Sequence, residues 1–180
     1  HDKKVSTVSL HSPSFRIATG SIDGEIKLFD ARKLGKTMKS VERRQCSLGV
    51  TGAYINADGT AVVATSNDNF IRILSTSDFS KSVDIKHNNQ TGRWVTNFRA
   101  VWHPVDPSIF VCGSMNRTME LGKVEAAAQP KAKAGAVRLI GTKAVSHVDV
   151  TAIPAINCFH PIERWIASGN ASGYCSVWRE

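Results

Sequence analysis

Several short stretches of this sequence combine residues that can meet an anion with residues that can stack on a ring. The richest is Lys86-His-Asn-Asn-Gln-Thr-Gly-Arg-Trp94, which offers Lys86, His87, Asn89, Gln90, Arg93 and Trp94, with Arg99 close behind. His1-Asp-Lys-Lys4 adds Lys3 and Lys4, Arg43-Arg-Gln-Cys-Ser47 adds Arg43 and Arg44, and Lys143-Ala-Val-Ser-His147 adds Lys143. Lys and Arg neutralise phosphates and release their counterions. Asn, Gln and His hydrogen-bond to base edges, and an aromatic ring stacks on a base or wedges into a step. The whole chain leans the same way, with 23 Lys+Arg against 15 Asp+Glu in 180 residues and a formal charge of +8. Surface lysine is common, so charge alone leaves nucleic acid and acidic proteins both open as partners.

Catalytic patterns are missing from the sequence. There is no G-x-S-x-G, no G-x(4)-G-K-[ST] and no H-E-x-x-H, so the chain reads as a binding protein without enzymatic activity, and no cofactor is expected. Cys46, Cys112, Cys158 and Cys175 show no C-x-x-C spacing, and no H-x(3–5)-H accompanies them, which argues against zinc. Cys112, Cys158 and Cys175 lie among apolar or small residues, and the cysteines read as buried, reduced thiols. A composition of 42% hydrophobic and 21% charged residues is that of a globular chain. No run of 18 apolar residues is present, so no membrane partner is expected. The chain starts at His1 without a secretory leader and moves almost at once into strand-like sequence, which suggests a fragment from a reducing compartment.

The elements that carry these residues repeat. Val5–Pro13, Phe15–Asp23 and Glu25–Asp30 form a unit of three β-like runs separated by polar or small-residue turns. The unit recurs at 50–74, 98–121 and 156–178. His11, Asn56, His103 and His160 mark the same turn in each copy, 45, 47 and 57 residues apart. A residue that recurs in register is read as structural. Apolar residues alternate with period two, as in Ile26 and Leu28 around Lys27, which predicts strands. A repeat of this length with several strands per unit predicts an all-β propeller. The predicted blades are 1–42, 43–86, 87–147 and 148–180. Residues 122–147, with Lys123, Lys131, Lys133, Arg138 and Lys143, read as a basic inserted loop with an outer strand at 136–140.

The small-residue runs Ala18-Thr-Gly-Ser21, Ala64-Thr-Ser66, Cys112-Gly-Ser114 and Ala167-Ser-Gly169 resemble WD40 blades, with Phe29-Asp30 in the place of one Trp-Asp pair. The stretch Lys86–Pro104, with Ile73–Asp78 and Gly169–Gly173, resembles the family of WD repeat-containing protein 76 and its fungal Cmr1-type DNA damage-binding relatives. The likeness covers nearly the whole chain apart from 122–147. It implies the C-terminal half of a ring of about seven blades, and it implies that the connections leading into the blades share the narrower face. By this resemblance the basic residues named above form a DNA-binding face. Arg93 and Trp94 stand where a related UV-damage-binding protein inserts a hairpin at lesions, and Arg99 keeps a DNA-contacting charge. The implied partners are damaged or modified duplex DNA and histones or chromatin, in the nucleus. Phe29-Asp30-Ala31-Arg32 resembles the motif by which WD40 receptors dock on the adaptor of cullin-4 ubiquitin ligases. That leaves a scaffold or ligase-receptor role as the alternative. The bland alternatives are that Asp30 is an ordinary blade residue and that Trp94 caps the strand it precedes.

Overall fold

The computed structural model describes residues 1–33, 35, 39–126 and 137–179. Among these residues fifteen strands form four antiparallel sheets, with sequential neighbours paired in each. The first sheet holds β1 (Val5–His11), β2 (Arg16–Ser21), β3 (Glu25–Asp30) and β4 (Glu42–Gln45). The second holds β5 (Val50–Ile55), β6 (Ala61–Ser66), β7 (Phe70–Ser75) and β8 (Asp78–Lys86). The third holds β9 (Val101–Trp102), β10 (Ile109–Gly113), β11 (Met119–Ala126) and β12 (Val137–Val145). The fourth has three strands, β13 (Ile156–Phe159), β14 (Trp165–Gly169) and β15 (Cys175–Arg179). The all-β expectation therefore holds.

The period-two pattern places alternate residues on opposite faces. In β6 both faces are covered. Val62 and Ala64 pack toward the first sheet with Ile26, Leu28, Val50 and Phe79. Ala61 and Val63 pack toward the third with Ile71, Ile73, Trp102 and Phe110. The small residues of β2 and β10 are required by the next sheet. A Cβ on Gly20 would lie 2.5 Å from Val50 Cγ1, and one on Gly113 would collide with the Pro154 carbonyl.

The turns marked by His11, Asn56, His103 and His160 are structural. His103 Nδ1 accepts hydrogen bonds from the backbone N–H of Val105 (3.2 Å) and Asp106 (2.9 Å). His160 Nδ1 accepts from Ile162 (3.2 Å) and Glu163 (2.8 Å). In the second sheet Asn56 Oδ1 accepts from Ala61 N–H at 2.9 Å. These three side chains satisfy backbone donors that a tight turn would otherwise leave open, while His11 bonds Ser14 Oγ (2.7 Å) and Ala57 O (3.0 Å).

Three expectations change. Arg43 and Arg44 were assigned to a connection, but they belong to β4, where Arg43 pairs with Lys27 and Arg44 with Ile26. The chain turns back onto its own sheet before crossing to the next. Most of the described part of 122–147 is strand, since β11 and β12 pair along their length, Met119 with Val145 through Ala126 with Val137. Lys143 is thus on an outer strand, while Lys131, Lys133 and Ala136 lie outside the described residues. Cys46 and Cys112 are buried as expected, and burial pushes both thiols up, but Cys158 and Cys175 are exposed on the fourth sheet.

Candidate nucleic-acid interface

Antiparallel order gathers two sets of connections at one end of the molecule. One set leads from each sheet into the next (46–49, 87–100 and 146–155). The other joins the second and third strands within each sheet (22–24, 67–69, 114–118 and 170–174). Hydrogen bonds tie these connections together. Ser47 N–H donates to Asp68 Oδ2 (3.1 Å), Asn67 N–H to Gly49 O (2.9 Å) and Cys46 N–H to Gly24 O (2.8 Å). His1, Lys3 and Lys4 join the same end, because Lys4 O accepts from Ile22 N–H at 3.0 Å.

The connection 87–100 divides into a buried base and an exposed tip. His87 is 5% exposed and Asn89 3%. His87 Nδ1 bonds Asn89 Oδ1 at 2.6 Å, and Asn89 Nδ2 donates to the carbonyls of Ser66 (2.8 Å) and Phe70 (3.1 Å). The His87 ring meets Phe98 edge-on at 5.8 Å. These two side chains were expected to face DNA. They are instead turned inward and anchor the loop to the second sheet, because the turns there expose carbonyls that need donors. Gln90 is exposed, but its amide donates to Asn67 O at 2.6 Å, which also serves the anchor.

Beyond this base, Thr91 Oγ1 donates to Asn97 Oδ1 at 2.9 Å and closes the loop across six residues. Gly92 at its tip takes φ +65°, the left-handed region that glycine enters freely. Trp94 is 81% exposed, and the Arg93 guanidinium lies over its ring at 5.3 Å. Trp94 does not cap a strand. The chain then turns inward. Phe98 O accepts from Thr51 Oγ1 (2.8 Å) and Ala100 N–H donates to Thr65 Oγ1 (3.1 Å). These bonds to the second sheet replace ladder bonds, so β9 has two residues rather than the seven of the expected run. Arg99, between the buried Phe98 and Ala100, is exposed.

The remaining basic candidates scatter. Lys3, Lys4 and Lys86 are exposed at this end, Lys86 as the last residue of β8. Arg44 reaches Asp84 at 3.4 Å, and Arg43 is exposed on the outer strand of the first sheet. Among the described residues no salt bridge involves Arg93, Arg99, Lys3, Lys4 or Lys86. Sequence reasoning missed Arg117 in the 114–118 turn and Tyr174 in the 170–174 turn, both exposed at this end. Their place in the repeating turn was the available signal.

At the opposite end, Asp30 is buried at the close of β3, and Arg32 grips it through Nε–Oδ1 (2.9 Å) and Nη2–Oδ2 (2.8 Å). The hydrogen bonds from the Arg32 side chain and backbone hold the Asp30 carboxyl well below the usual carboxylate range. The Arg32 side chain stays 62% exposed, with Phe15 beside its guanidinium at 5.6 Å and Phe29 half-buried. Among the described residues, His1, Asp23 and Glu25 stand close enough to share a cation. Their oxygens are already engaged, Glu25 by Lys27 Nζ at 2.6 Å and Asp23 by the N–H groups of Asp2 and Glu25.

The family described as WD domain, G-beta repeat matches residues 1–30. DNA damage-binding protein CMR1 of Phaeosphaeria nodorum is 34% identical over 200 residues, covering 98% of this chain and 36% of that protein. The cmr1 protein of Aspergillus terreus, with the same description, is 31% identical over 98% of the chain and 35% of its own length. WD repeat-containing protein 76 of Xenopus laevis is 29% identical over 99% of the chain and 30% of its own length. The chain thus spans about a third of the length of these curated relatives. A chain in a crystal structure of the mitotic checkpoint complex superposes with a TM-score of 0.70 at 18% identity, covering all of this chain and 50% of that one, which speaks for the fold alone. Four propeller-type sheets and a WD repeat at residues 1–30 give this chain a WD40 propeller fold, and over nearly its whole length it is similar to the CMR1 and WD repeat-containing protein 76 proteins.

Proposed function

We propose that this chain supplies a DNA-binding surface, with a preference for damaged or modified duplexes in nuclear chromatin, and that it acts as a binding protein without catalysis. The observation that carries the reading is Trp94, a large ring left 81% exposed with Arg93 laid over it, on a loop whose base is fixed by buried His87 and Asn89. Tryptophan and arginine are the side chains most enriched where binding energy concentrates, because each offers a large contact area with a polar handle. A flat aromatic beside a guanidinium suits a base step and its flanking phosphate. Arg99, Lys3, Lys4 and Lys86 add positive charge not taken up by salt bridges among the described residues. The DNA damage-binding description of the relatives supports the same reading.

The test is duplex binding titrated in salt, with intact and lesion-bearing DNA. The reading expects affinity to fall steeply with salt and Trp94→Ala to lose lesion preference more than overall affinity. Equal binding of both duplexes by both proteins would reduce the surface to a nonspecific anchor, and no binding at low salt would end the DNA reading.

A second reading rests on Arg32. Asp30 holds its guanidinium in a fixed pose while leaving most of the side chain in solvent, which suits docking on a cullin-4 ligase adaptor. Arg32→Ala would then abolish adaptor capture and leave DNA binding intact. Retained capture would remove this reading.

A further inference from the structure

The turn between the second and third strands recurs in every sheet, and in each one residue near its end takes positive φ. These residues are Gly24 (+87°), Asn69 (+66°), Arg117 (+61°) and Gly173 (+83°). In three of them the N–H of that residue returns to the carbonyl three positions earlier: Gly24 to Ser21, Arg117 to Ser114 and Gly173 to Asn170. This is the left-handed position of a bulged hairpin, where glycine is the residue without strain. Arginine there carries a steric cost.

Three described residues other than glycine have positive φ. Two have a partner inside the molecule. Asn69 Oδ1 accepts the N–H of Asn89 at 3.0 Å, and the Phe15 ring lies by the Arg32 guanidinium at 5.6 Å. For the Arg117 side chain, no hydrogen bond, ion pair or ring contact exists among the described residues. Its turn is held by backbone bonds, Ser114 N–H to Thr118 O (2.9 Å) and Arg117 N–H to Ser114 O (3.2 Å), which glycine would make equally well. The strained side chain therefore returns nothing to the fold that can be seen.

Its place is informative. The 114–118 turn sits at the same end of the third sheet as the connection that carries Arg93, Trp94 and Arg99. The β9–β10 ladder, Trp102 with Phe110 and Val101 with Val111, runs toward that end from both strands. The geometry points to Arg117 as a phosphate contact of the surface built around Trp94, retained against its backbone strain because the return comes from duplex DNA. This assignment rests on the DNA-binding reading above.

The experiment compares wild type, Arg117→Gly, Arg117→Lys and Trp94→Ala. Each is measured for thermal unfolding and for binding to a random-sequence fluorescent duplex across a salt series. Arg117→Gly is expected to unfold at the wild-type temperature or above it. Its plot of log affinity against log salt should be shallower by about 0.9, the loss of one phosphate contact. Arg117→Lys should keep the wild-type slope. A wild-type slope in Arg117→Gly, with wild type binding in a salt-dependent way and Trp94→Ala weakened, overturns the assignment and leaves the DNA surface standing. A lowered unfolding temperature in Arg117→Gly also overturns it, because the side chain would then hold the fold. Salt-independent or absent binding by wild type overturns the DNA reading itself and takes Arg117 with it.

Discussion

Arg72 and Arg93 both lay a guanidinium over an aromatic ring, Arg72 at 4.9 Å over Phe70 and Arg93 at 5.3 Å over Trp94. The first is buried between the first and second sheets, with both terminal nitrogens on Asp68 (Nη1–Oδ1 2.9 Å, Nη2–Oδ2 2.7 Å), a further bond to Ser66 Oγ at 2.5 Å and Asp84 Oδ2 at 3.6 Å from Nε. The second stands in solvent with no carboxylate partner among the described residues. The same chemistry is satisfied within the fold in one place and left open in the other. A cation taken out of water must find its counter-charge inside. A cation held at the surface beside an uncovered ring is free to meet a charge from outside.

The largest expected effect breaks the inner member. Asp68→Ala removes the two-point partner of the buried Arg72, leaving it only Asp84 Oδ2 at 3.6 Å from Nε, and should lower unfolding free energy by about 3 kcal/mol, measured by chemical denaturation. Replacing both partners, Asp68→Leu with Arg72→Met, should cost distinctly less, because no charge is then left buried. A single loss as small as the double one would mean that Asp84 or water satisfies Arg72.

Acid should act on the same member. Burial pushes the Asp68 carboxyl up, but the hydrogen bonds from Arg72, Ser66 and Ser47 N–H, with the Arg72 charge, outweigh it and hold it below its ordinary value. A depressed carboxylate contributes stability that is complete above the unfolded value, near pH ~4, and is lost as pH falls through the folded value. Asp23, Asp30, Asp78 and Asp106 are depressed too, so stability should fall below about pH 4 in wild type. Asp68→Asn should show a shallower fall. An unchanged profile would place the acid response on the other carboxylates.

The rings sharpen the contrast at smaller scale. Phe70→Leu removes a face from a desolvated cation and should cost about 1–2 kcal/mol. Trp94→Leu should change stability by less than about 0.5 kcal/mol. Equal costs would mean that the exposed pair is structural after all.

Much of the fold was legible. Alternation along Glu25–Asp30, with the turns marked by His11, Asn56, His103 and His160, located most of the strands because half-buried strands leave a period-two trace. Strand membership after a turn was not legible. Nothing local tells whether Arg43 and Arg44 pair back onto β3 or lead onward, since a four-residue outer strand of polar and charged residues carries no apolar alternation. The candidate loop was found, and its tip residues Arg93 and Trp94 are exposed as expected. Its base was misread, because His87 and Asn89 look like surface residues until the carbonyls of Ser66 and Phe70 come within reach of Asn89. Arg117 went unnoticed for a related reason, since its backbone conformation becomes visible only when the four turns are laid side by side.

The four tryptophans differ widely in their surroundings. Trp102 is buried, its indole N–H donating to Tyr54 O at 2.8 Å and its ring edge-on to Phe110. Trp165 and Trp178 are half-covered on the fourth sheet, while Trp94 stands almost wholly in water. Optical excitation will therefore divide among emitters of different colour, with Trp94 supplying the red-shifted share most open to acrylamide. Anything that comes to lie on the loop tip must alter that share first. The molecule thus carries its own fluorescent probe of occupancy at the surface where a partner is sought, readable without a label.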